Sequence, residues 1–539
     1  MNRSIFADSA EDWFQAQCDN HNHQRWMESI AVGMIASRRS CLSPEQRSQC
    51  AEMLCEASLK LADAGFASEI LASHLNFIED ISKATVLLHQ FCDHCTAEQL
   101  RRVLPGLHYT PQQYCDLGQY LSGLRKFDLA ETVGDSWEDD HPSSMAGSAS
   151  SFLPWVYWRQ LRYEKALTCF ESNYSKYAHS DDLVGQAIVL GFMGRYADSA
   201  ARYKELETIQ PISGDACKPL AMALFGSGDV RGAMERHEGR VLGPAFVEKA
   251  PPDLPRWNGD QLQGGLLVLL DPGWSIGDYL MYARYIPLLR RKVARVRIEA
   301  PADMHAVLRA AYPEAELVTH IDTGECEAYA WLMSLPVALQ LWSTVGETLP
   351  WLRPDEERTM HWKRWWAQQD DGATVPRPRI GLCWRGNPNT YHDRFRSIAF
   401  EDFVPLLAAR SNIDWVNLQL GSNERPGNTM LEALGSRWLD PMPGVTDFMD
   451  TAALIATLDC VLTIDSAVAH ICGSTGVHMV LLVPIWGEWR WQTGEHSLWY
   501  PNATLVRTPA DSSFRHTIMG LANEWPEKND ISGSAGGRR

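Results

Sequence analysis

The sequence lacks an uninterrupted apolar run of the length that crosses a bilayer. Stretches without charged residues occur at 141–158, 328–346 and 466–487, but Pro, Ser, His or Gly interrupts each of them. A membrane-spanning helix needs about 20 mainly apolar residues, so we expect no stable membrane insertion. The first residues, MNRSIFADSAEDWF, carry acids where a signal peptide is apolar. We therefore expect no export by that route and a cytoplasmic location.

Cations are also scarce. The chain has 49 Lys and Arg residues against 67 Asp and Glu residues, and its formal net charge is −18 at pH 7. Nucleic-acid and anionic lipid phosphates are repelled by such a surface. We expect no nucleic-acid partner, and any anion site must be a local exception.

Patterns that bind metal ions are sparse as well. The 13 cysteines are scattered, and Cys92–Cys95 is the one CxxC pair, whereas a structural zinc site usually needs two such pairs. The chain has no Asp-x-Asp, so a metal clamp on a nucleotide diphosphate has no evident ligands. We predict reduced thiols used in core packing, no metal and no cofactor.

The chain has 539 residues, which is long enough for several domains. Its first part is predicted to be helical. Apolar spacings of three and four residues run from about 10 to 245. Within them the segments 161–170, 194–203 and 228–237 share a pattern, with offsets of 33 and 34 residues. This period is typical of tetratricopeptide hairpins. A bundle with accidental periodicity is the alternative.

The helical part has two predicted regions. Residues 151–248 form tetratricopeptide-like repeats, and residues 1–150 form a helical region, with a possible degenerate repeat at 123–130. Stacked hairpins of this kind present a concave surface that usually binds peptides or proteins. The repeats therefore predict a polypeptide partner.

A different pattern begins after the proline-rich segment 250–259. Apolar strands alternate with helices in two halves, 255–375 and 376–520, which predicts two parallel sheets with a cleft between them. Ligands of such folds lie beyond the carboxyl ends of the strands. The fold class is thus α + α/β, a helical solenoid followed by two Rossmann-like halves. We expect a disordered tail at 528–539.

Two motifs in the second half have the chemistry of an anion site. Asp465 ends a predicted strand, and Ser466, Ala467 and His470 begin the next helix, where backbone N–H groups favour phosphate. Asp465 suits sugar hydroxyls instead, because a carboxylate repels phosphate. The alternative is an Asp helix cap with a buried His.

The second motif is a basic stretch in an otherwise acidic chain. Between 377 and 397 five arginines face one acid, and Arg385, Asn387, Arg394 and Arg396 follow a predicted strand. Guanidinium forks match phosphate oxygens. A solvated basic loop is the alternative.

In the first half, residues 273–278 (GWSIGD) close a strand and open a helix. Asp278 is the carboxylate there that we expect to face the cleft, and it is our candidate general base. A helix cap is its alternative role.

Residues 250–510 resemble the glycosyltransferase domain of bacterial tetratricopeptide-repeat proteins related to the lipopolysaccharide heptosyltransferases, a glycosyltransferase family 9-like group with a GT-B fold. Seven motifs in order carry the resemblance: 255–259 (PRWNG), 275–278 (SIGD) with 282–285 (YARY), 384–388 (WRGNP), 393–398 (DRFRSI), 450–455 (DTAALI), 465–470 (DSAVAH) and 489–491 (WRW). The family usually has a Gly-Leu-Gly-Asp type turn where this chain reads GWSIG at 273–277. The resemblance therefore implies that Trp274 and Gly277 lie on the acceptor side and that Trp274 and Ser275 narrow the acceptor pocket.

The resemblance implies an inverting, metal-independent transferase with Asp278 as base and Arg396, Ser466 and His470 at the nucleotide-sugar phosphates. It also implies a donor role for Asp465. The motifs together predict a donor-binding set of Arg385, Asn387, Arg394, Arg396, Asp465, Ser466, Ala467 and His470.

Similar architectures modify surface proteins, so the predicted partners are a nucleotide-sugar donor and a protein acceptor such as a flagellin or an adhesin. Two alternatives remain open: transfer to a lipid-linked lipopolysaccharide precursor, and a non-catalytic repeat scaffold with a degenerate transferase domain.

Overall fold

We describe a computed structural model of the chain. It covers residues 15–18, 20–21, 26–36, 42–61, 64–78, 80–106, 111–140, 152–212, 214–342, 350–369, 376–388, 393–410, 412–421, 438–484, 489–495, 497–508 and 513–524. The predicted disordered tail at 528–539 lies outside the described residues. The chain divides into two compact units, Met1–Val189 and Leu190–Arg539.

The first unit is helical. Its helices are Trp26–Ala36 (α1), Pro44–Lys60 (α2), Ala64–His74 (α3), Ile81–Cys92 (α4), Ala97–Val103 (α5), Pro111–Gly123 (α6), Phe127–Asp140 (α7), Phe152–Arg159 (α8), Tyr163–Tyr177 (α9) and the first part of Ser180–Phe192 (α10). Capping boxes begin two of them, Ser43 with Gln46 at α2 and Thr96 with Gln99 at α5. Leu54, Leu71, Leu88 and Leu100 lie in one buried cluster.

The helical hairpins share one type of turn. Two turn residues precede the second helix of each hairpin, and the first of the two has a left-handed backbone. These residues are Arg125, Leu161, Gly194 and Gly228. The next amide then donates to the carbonyl five residues earlier, as in Arg162 to Tyr157 and Asp229 to Leu224. This is the 6→1 bond of a Schellman motif. The repeated turn confirms the tetratricopeptide-like hairpins, and the predicted degenerate repeat near Arg125 has the same turn.

The second unit starts with helices and continues into two parallel sheets. After α10 come Tyr196–Ile209 (α11), Cys217–Gly226 (α12), Val230–His237 (α13) and Pro244–Lys249 (α14). The last helices therefore share a compact unit with the sheets. We name α12 and α13 the last hairpin.

The first sheet has the order β3-β2-β1-β4, with all paired strands parallel. Its strands are Leu262–Leu269 (β1), Val293–Glu299 (β2), Glu316–Val318 (β3) and Cys326–Trp331 (β4). Its helices are Ile276–Tyr282 (α15), His305–Ala311 (α16) and Leu335–Leu339 (α17). After α15 the chain continues as the 3₁₀ segment Ala283–Arg291, which contains Pro287. Proline has no backbone N–H group, so Pro287 cannot donate a hydrogen bond to the preceding turn of an α-helix.

The second sheet has the order β10-β9-β8-β5-β6-β7 and is also parallel. Its strands are Arg379–Cys383 (β5), Asp414–Asn417 (β6), Trp438–Leu439 (β7), Cys460–Ile464 (β8), Met479–Pro484 (β9) and Ala503–Thr508 (β10). The helices of this half are Glu356–Gln368 (α18), Asp393–Arg396 (α19), Val404–Ala409 (α20), Phe448–Ile455 (α21), Ala467–Thr475 (α22) and Phe514–Glu524 (α23).

Two parallel sheets with helical crossovers confirm the predicted α + α/β class and its GT-B arrangement of two Rossmann-like halves. In the described part of the chain, no helix combines the length and apolarity needed to cross a membrane.

Candidate active site

The predicted donor motifs meet at the carboxyl edge of the second sheet. Arg385 and Asn387 follow β5, and Asp465 and Ser466 follow β8, which pairs directly with β5. Gln419, two residues beyond β6, also lies at this edge, and the sequence analysis did not single it out. Its side-chain oxygen accepts hydrogen bonds from the backbone N–H groups of Trp384 (3.2 Å) and Arg385 (2.9 Å). Gln419 thereby holds the loop after β5, and the signal available was an amide side chain within the mainly apolar run at 415–420.

Ser466 is the residue that caps α22. Its side chain makes no capping hydrogen bond, and its hydroxyl lies 3.4 Å from Thr463 Oγ1 and 3.7 Å from Cys383 Sγ. Asp465 stands one residue before the cap, so the alternative of an Asp helix cap does not describe its position. The first N–H groups of a helix favour an anion, and Ser466 and Ala467 provide them here.

Arg396 lies beside two carboxylates at this edge. Its Nη1 is 3.5 Å from Asp465 Oδ2 and its Nε is 3.6 Å from Asp393 Oδ1. Asp393 also accepts a hydrogen bond from the Ser397 hydroxyl at 2.7 Å. Arg396 is 22% exposed, so its guanidinium is partly open to a ligand.

His470 is buried one turn into α22. Its Nδ1 lies 2.9 Å from the Tyr500 hydroxyl and its Nε2 lies 3.9 Å from Asp465 Oδ1. Burial lowers the pKa of His470 to about 4; Asp465 opposes this shift and Arg490 adds to it. The imidazole is therefore neutral near pH 7, and it would meet a phosphate as a hydrogen-bonding group rather than as a cation.

The two α/β halves touch at this histidine. A Cβ atom on Gly277, at the start of α15, would lie 2.6 Å from His470 Cδ2. Real Cβ atoms do not approach another atom so closely. The absence of a side chain at Gly277 therefore lets the first turn of α15 lie against α22.

Asp278 is buried, and both oxygens of its carboxylate accept hydrogen bonds. One oxygen accepts from Ser275 N–H (3.1 Å) and Ser275 Oγ–H (2.8 Å), which completes a capping box for α15. The other accepts from Arg490, with Nε at 3.0 Å. Burial alone would raise the pKa of the Asp278 carboxyl, but the charge and hydrogen bonds of Arg490 hold it below its usual range. Asp278 thus has the capping role that was its alternative, together with an ion pair that the sequence did not reveal.

Trp274 contacts the last hairpin. Lys218 Nζ lies 4.1 Å from the Trp274 ring centroid, and the His237 ring meets Trp274 edge-on at 5.2 Å. Burial lowers the pKa of His237 well below its usual value, and Arg240, Lys218 and Arg490 act in the same direction. The half-buried Trp274 ring is thus placed by helices of the repeat region.

The last hairpin is anchored to both halves. Arg240, directly after α13, forms a buried ion pair with Asp271 at the end of β1. On the other side, Phe225 of α12 stacks on Trp489 with ring centroids 4.8 Å apart. The last hairpin therefore packs against both Trp274 of the acceptor-side loop and Trp489.

The arginines of the basic stretch at 377–397 do not form one cluster, because they lie at opposite edges of the second sheet. Arg377 forms an ion pair with Asp414, and the Arg379 guanidinium stacks on Trp366 at 4.8 Å, both at the amino ends of β5 and β6. Arg385 and Arg396 lie at the carboxyl edge, and the side chain of Arg394 lies outside the described residues. Among the described residues, no group of three or more His, Cys, Asp or Glu side chains is placed to hold a metal ion.

No family model matches the chain. The chain is similar to the protein FlbA of Caulobacter vibrioides, at 25% identity over 328 residues, which cover 56% of this chain and 53% of FlbA. The chain thus spans about half the length of that curated relative.

The solved structures to which the chain is similar include a glycosyl transferase and a tetratricopeptide repeat protein. A glycosyl transferase of family 9 from Veillonella parvula has a TM-score of 0.35 and 13% identity, covering 52% of this chain and 98% of its own. A tetratricopeptide repeat protein from Parabacteroides merdae has a TM-score of 0.25 and 13% identity, covering 45% and 97%.

Proposed function

We propose that the chain is a glycosyltransferase that moves a sugar from a nucleotide-sugar donor to a protein acceptor selected by the helical repeats. The observation that carries the proposal is the meeting of two sets of residues. Gly277, which directly precedes Asp278 in the first half, lies against His470, and His470 Nε2 is 3.9 Å from Asp465 Oδ1 in the second half. A candidate base and a candidate diphosphate site are thus neighbours, as transfer between two substrates requires.

The donor half of the reaction follows from the second sheet. The diphosphate would lie at the amino end of α22, where Ser466 and Ala467 offer N–H groups and Arg396 offers a guanidinium. Asp465 would accept hydrogen bonds from sugar hydroxyls. When the bond between the anomeric carbon and the phosphate oxygen breaks, its electron pair stays on the nucleoside diphosphate, and these groups stabilise that charge. No metal ion is needed in this scheme.

The acceptor half follows from the first sheet. An acceptor hydroxyl or amide would enter beside Trp274, lose its proton to Asp278 and form a bond to the anomeric carbon on the face opposite the phosphate. Attack on the opposite face inverts the anomeric configuration. We infer a protein acceptor, such as a flagellin or an adhesin, because the last hairpin reaches Trp274 directly through Lys218 and His237.

A non-catalytic scaffold is the second candidate, and one observation favours it. Both carboxylate oxygens of Asp278 already accept hydrogen bonds, from Ser275 and Arg490. A base needs a free lone pair and a pKa near the working pH. A chain in which this arrangement never changes would bind a donor without transferring its sugar.

The deciding experiment incubates the full chain with a panel of nucleotide sugars and lysate proteins, followed by mass spectrometry of peptides. We expect sugar-modified peptides with wild type and a loss of about 10²–10⁴-fold in turnover with Asp278→Asn. Asp303→Asn removes an exposed carboxylate from the same half and is the matched control. Label in the lipid fraction alone would support the lipid-acceptor alternative. Donor hydrolysis and transfer that are both absent from wild type would support the scaffold.

A further inference from the structure

The ion pair between Asp278 and Arg490 joins residues that are 212 positions apart and belong to different halves of the fold. Both side chains are almost fully buried, at 4% and 12% exposure. A buried pair stays ionised because each partner compensates the lost hydration of the other. Arg490 therefore holds Asp278 as a carboxylate that is charged, hydrogen-bonded and poor at accepting a proton.

Arg490 also belongs to the surroundings of the candidate donor site. The next residue, Trp491, has its ring centroid 5.6 Å from that of His470, and His470 Nε2 is 3.9 Å from Asp465 Oδ1. His470 lies one helical turn beyond Ser466, on the helix whose amino end favours phosphate. Arg490 is thus ion-paired with Asp278 next to the helix that carries the candidate diphosphate site.

We propose that Arg490 exchanges partners during the reaction: a bound nucleotide-sugar diphosphate draws its guanidinium away from Asp278, and Asp278 is then free to take the acceptor's proton. This inference rests on the proposed function. A guanidinium fork matches phosphate and carboxylate geometry equally, and a diphosphate carries more negative charge than one carboxylate. The donor would in this way activate the base, so a proton is accepted only when a sugar is in place.

The exchange of partners predicts a change in diphosphate affinity that a permanent ion pair does not. If Asp278 competes with the diphosphate for Arg490, the measured affinity is reduced by the fraction of Arg490 that is paired. Removal of the carboxylate charge then strengthens diphosphate binding while it abolishes proton transfer. A purely structural pair predicts unchanged or weaker binding after the same substitution.

Trp489 provides a reporter, because the Arg490 guanidinium lies 4.5 Å from its ring centroid. The experiment labels the full chain with 5-fluorotryptophan and assigns the Trp489 ¹⁹F resonance among 21 tryptophans by its loss in Trp489→Phe. Inorganic pyrophosphate and a panel of nucleoside diphosphates are then titrated into wild type, Asp278→Asn, Arg490→Gln and the control Asp303→Asn. Affinities are measured by calorimetry.

We expect the Trp489 resonance of wild type to shift saturably with the tightest diphosphate. Asp278→Asn should bind that diphosphate at least about threefold more tightly than wild type, Asp303→Asn should match wild type, and Arg490→Gln should bind about tenfold more weakly. An unmoved Trp489 resonance at saturation, or Asp278→Asn binding no tighter than Asp303→Asn, would overturn the exchange and leave the proposed function standing. The wild-type titration decides even if a variant fails to fold. No binding of any diphosphate by wild type would remove both proposals.

Discussion

Gly277 sets how closely the two α/β halves approach. A side chain there would overlap the His470 ring, with a Cβ-to-Cδ2 distance of 2.6 Å. The same glycine precedes Asp278, so its size affects both the packing and the placement of the carboxylate. Gly277 therefore has a packing role at the contact between α15 and α22.

Gly277→Ala should therefore lower the free energy of unfolding by about 1–3 kcal/mol, because one ring or one helix must move to admit the methyl group. Gly520→Ala is the matched control, since a Cβ at Gly520, in α23, meets no described atom within 4 Å. The control should be neutral or stabilising by up to about 1 kcal/mol. Urea unfolding of both variants checks this, and equal effects would contradict the close contact.

Single residues also mark the limit of what the sequence could reveal. The strand ends and their polar motifs were predictable, because apolar runs and the residues after them are local patterns. The pair between Asp278 and Arg490 was not, since nothing local links two residues 212 positions apart. The Ser275–Asp278 capping box was readable, and it explains why α15 begins at Ile276 rather than after a longer loop.

At the scale of elements, a buried ion pair attaches the last hairpin to the first sheet. Arg240 and Asp271 are 2% and 0% exposed, and Arg240 also donates to Ser334 Oγ at 3.1 Å and to the His237 carbonyl at 3.0 Å. Removal of one partner leaves the other charged and buried, which is more costly than the loss of a surface pair.

Arg240→Ala should lower the free energy of unfolding by about 3–5 kcal/mol. Arg195→Ala is the control, because Arg195 pairs with Asp198 on the surface with both side chains about half exposed. Its effect should stay within about 1 kcal/mol. Denaturant titrations followed by circular dichroism measure both. An effect of Arg240→Ala no larger than that of Arg195→Ala would contradict a stabilising role of the buried pair.

The elements show a second difference between pattern and structure. The change from helices to strands near residue 250 was predictable from prolines and apolar periodicity. The last helices nevertheless belong to the same compact unit as the sheets. Side-chain contacts such as Phe225 on Trp489 decide this, and periodicity carries no information about which surface a helix will cover.

At the scale of the whole molecule, buried histidines make stability depend on pH. The folded pKa of His470 is about 4, against about 6.5 for an unfolded histidine. Between these values the unfolded chain binds the proton and the folded chain does not, so stability rises with pH in that window. It is lost as the pH falls from 6.5 towards 4. His237, whose pKa is also lowered, contributes in the same direction.

Wild type should thus lose roughly 2 kcal/mol of stability from His470 alone between pH 7 and pH 5. His470→Gln removes this contribution, so its free energy of unfolding should change less with pH than that of wild type. Denaturant titrations at both pH values provide the comparison. An identical pH dependence in the two proteins would mean that folding leaves the pKa of His470 unshifted.

The attachment of the last hairpin also limits how such chains can be recombined. An exchange of repeat arrays between related proteins at the proline-rich segment 250–259 would separate Arg240 from Asp271 and Phe225 from Trp489. A crossover placed before α11 keeps both contacts within one parent. Folded chimeras should therefore inherit their last hairpin from the parent that supplies the two α/β halves, and natural gene fusions of this architecture are expected to carry it together with the two sheets.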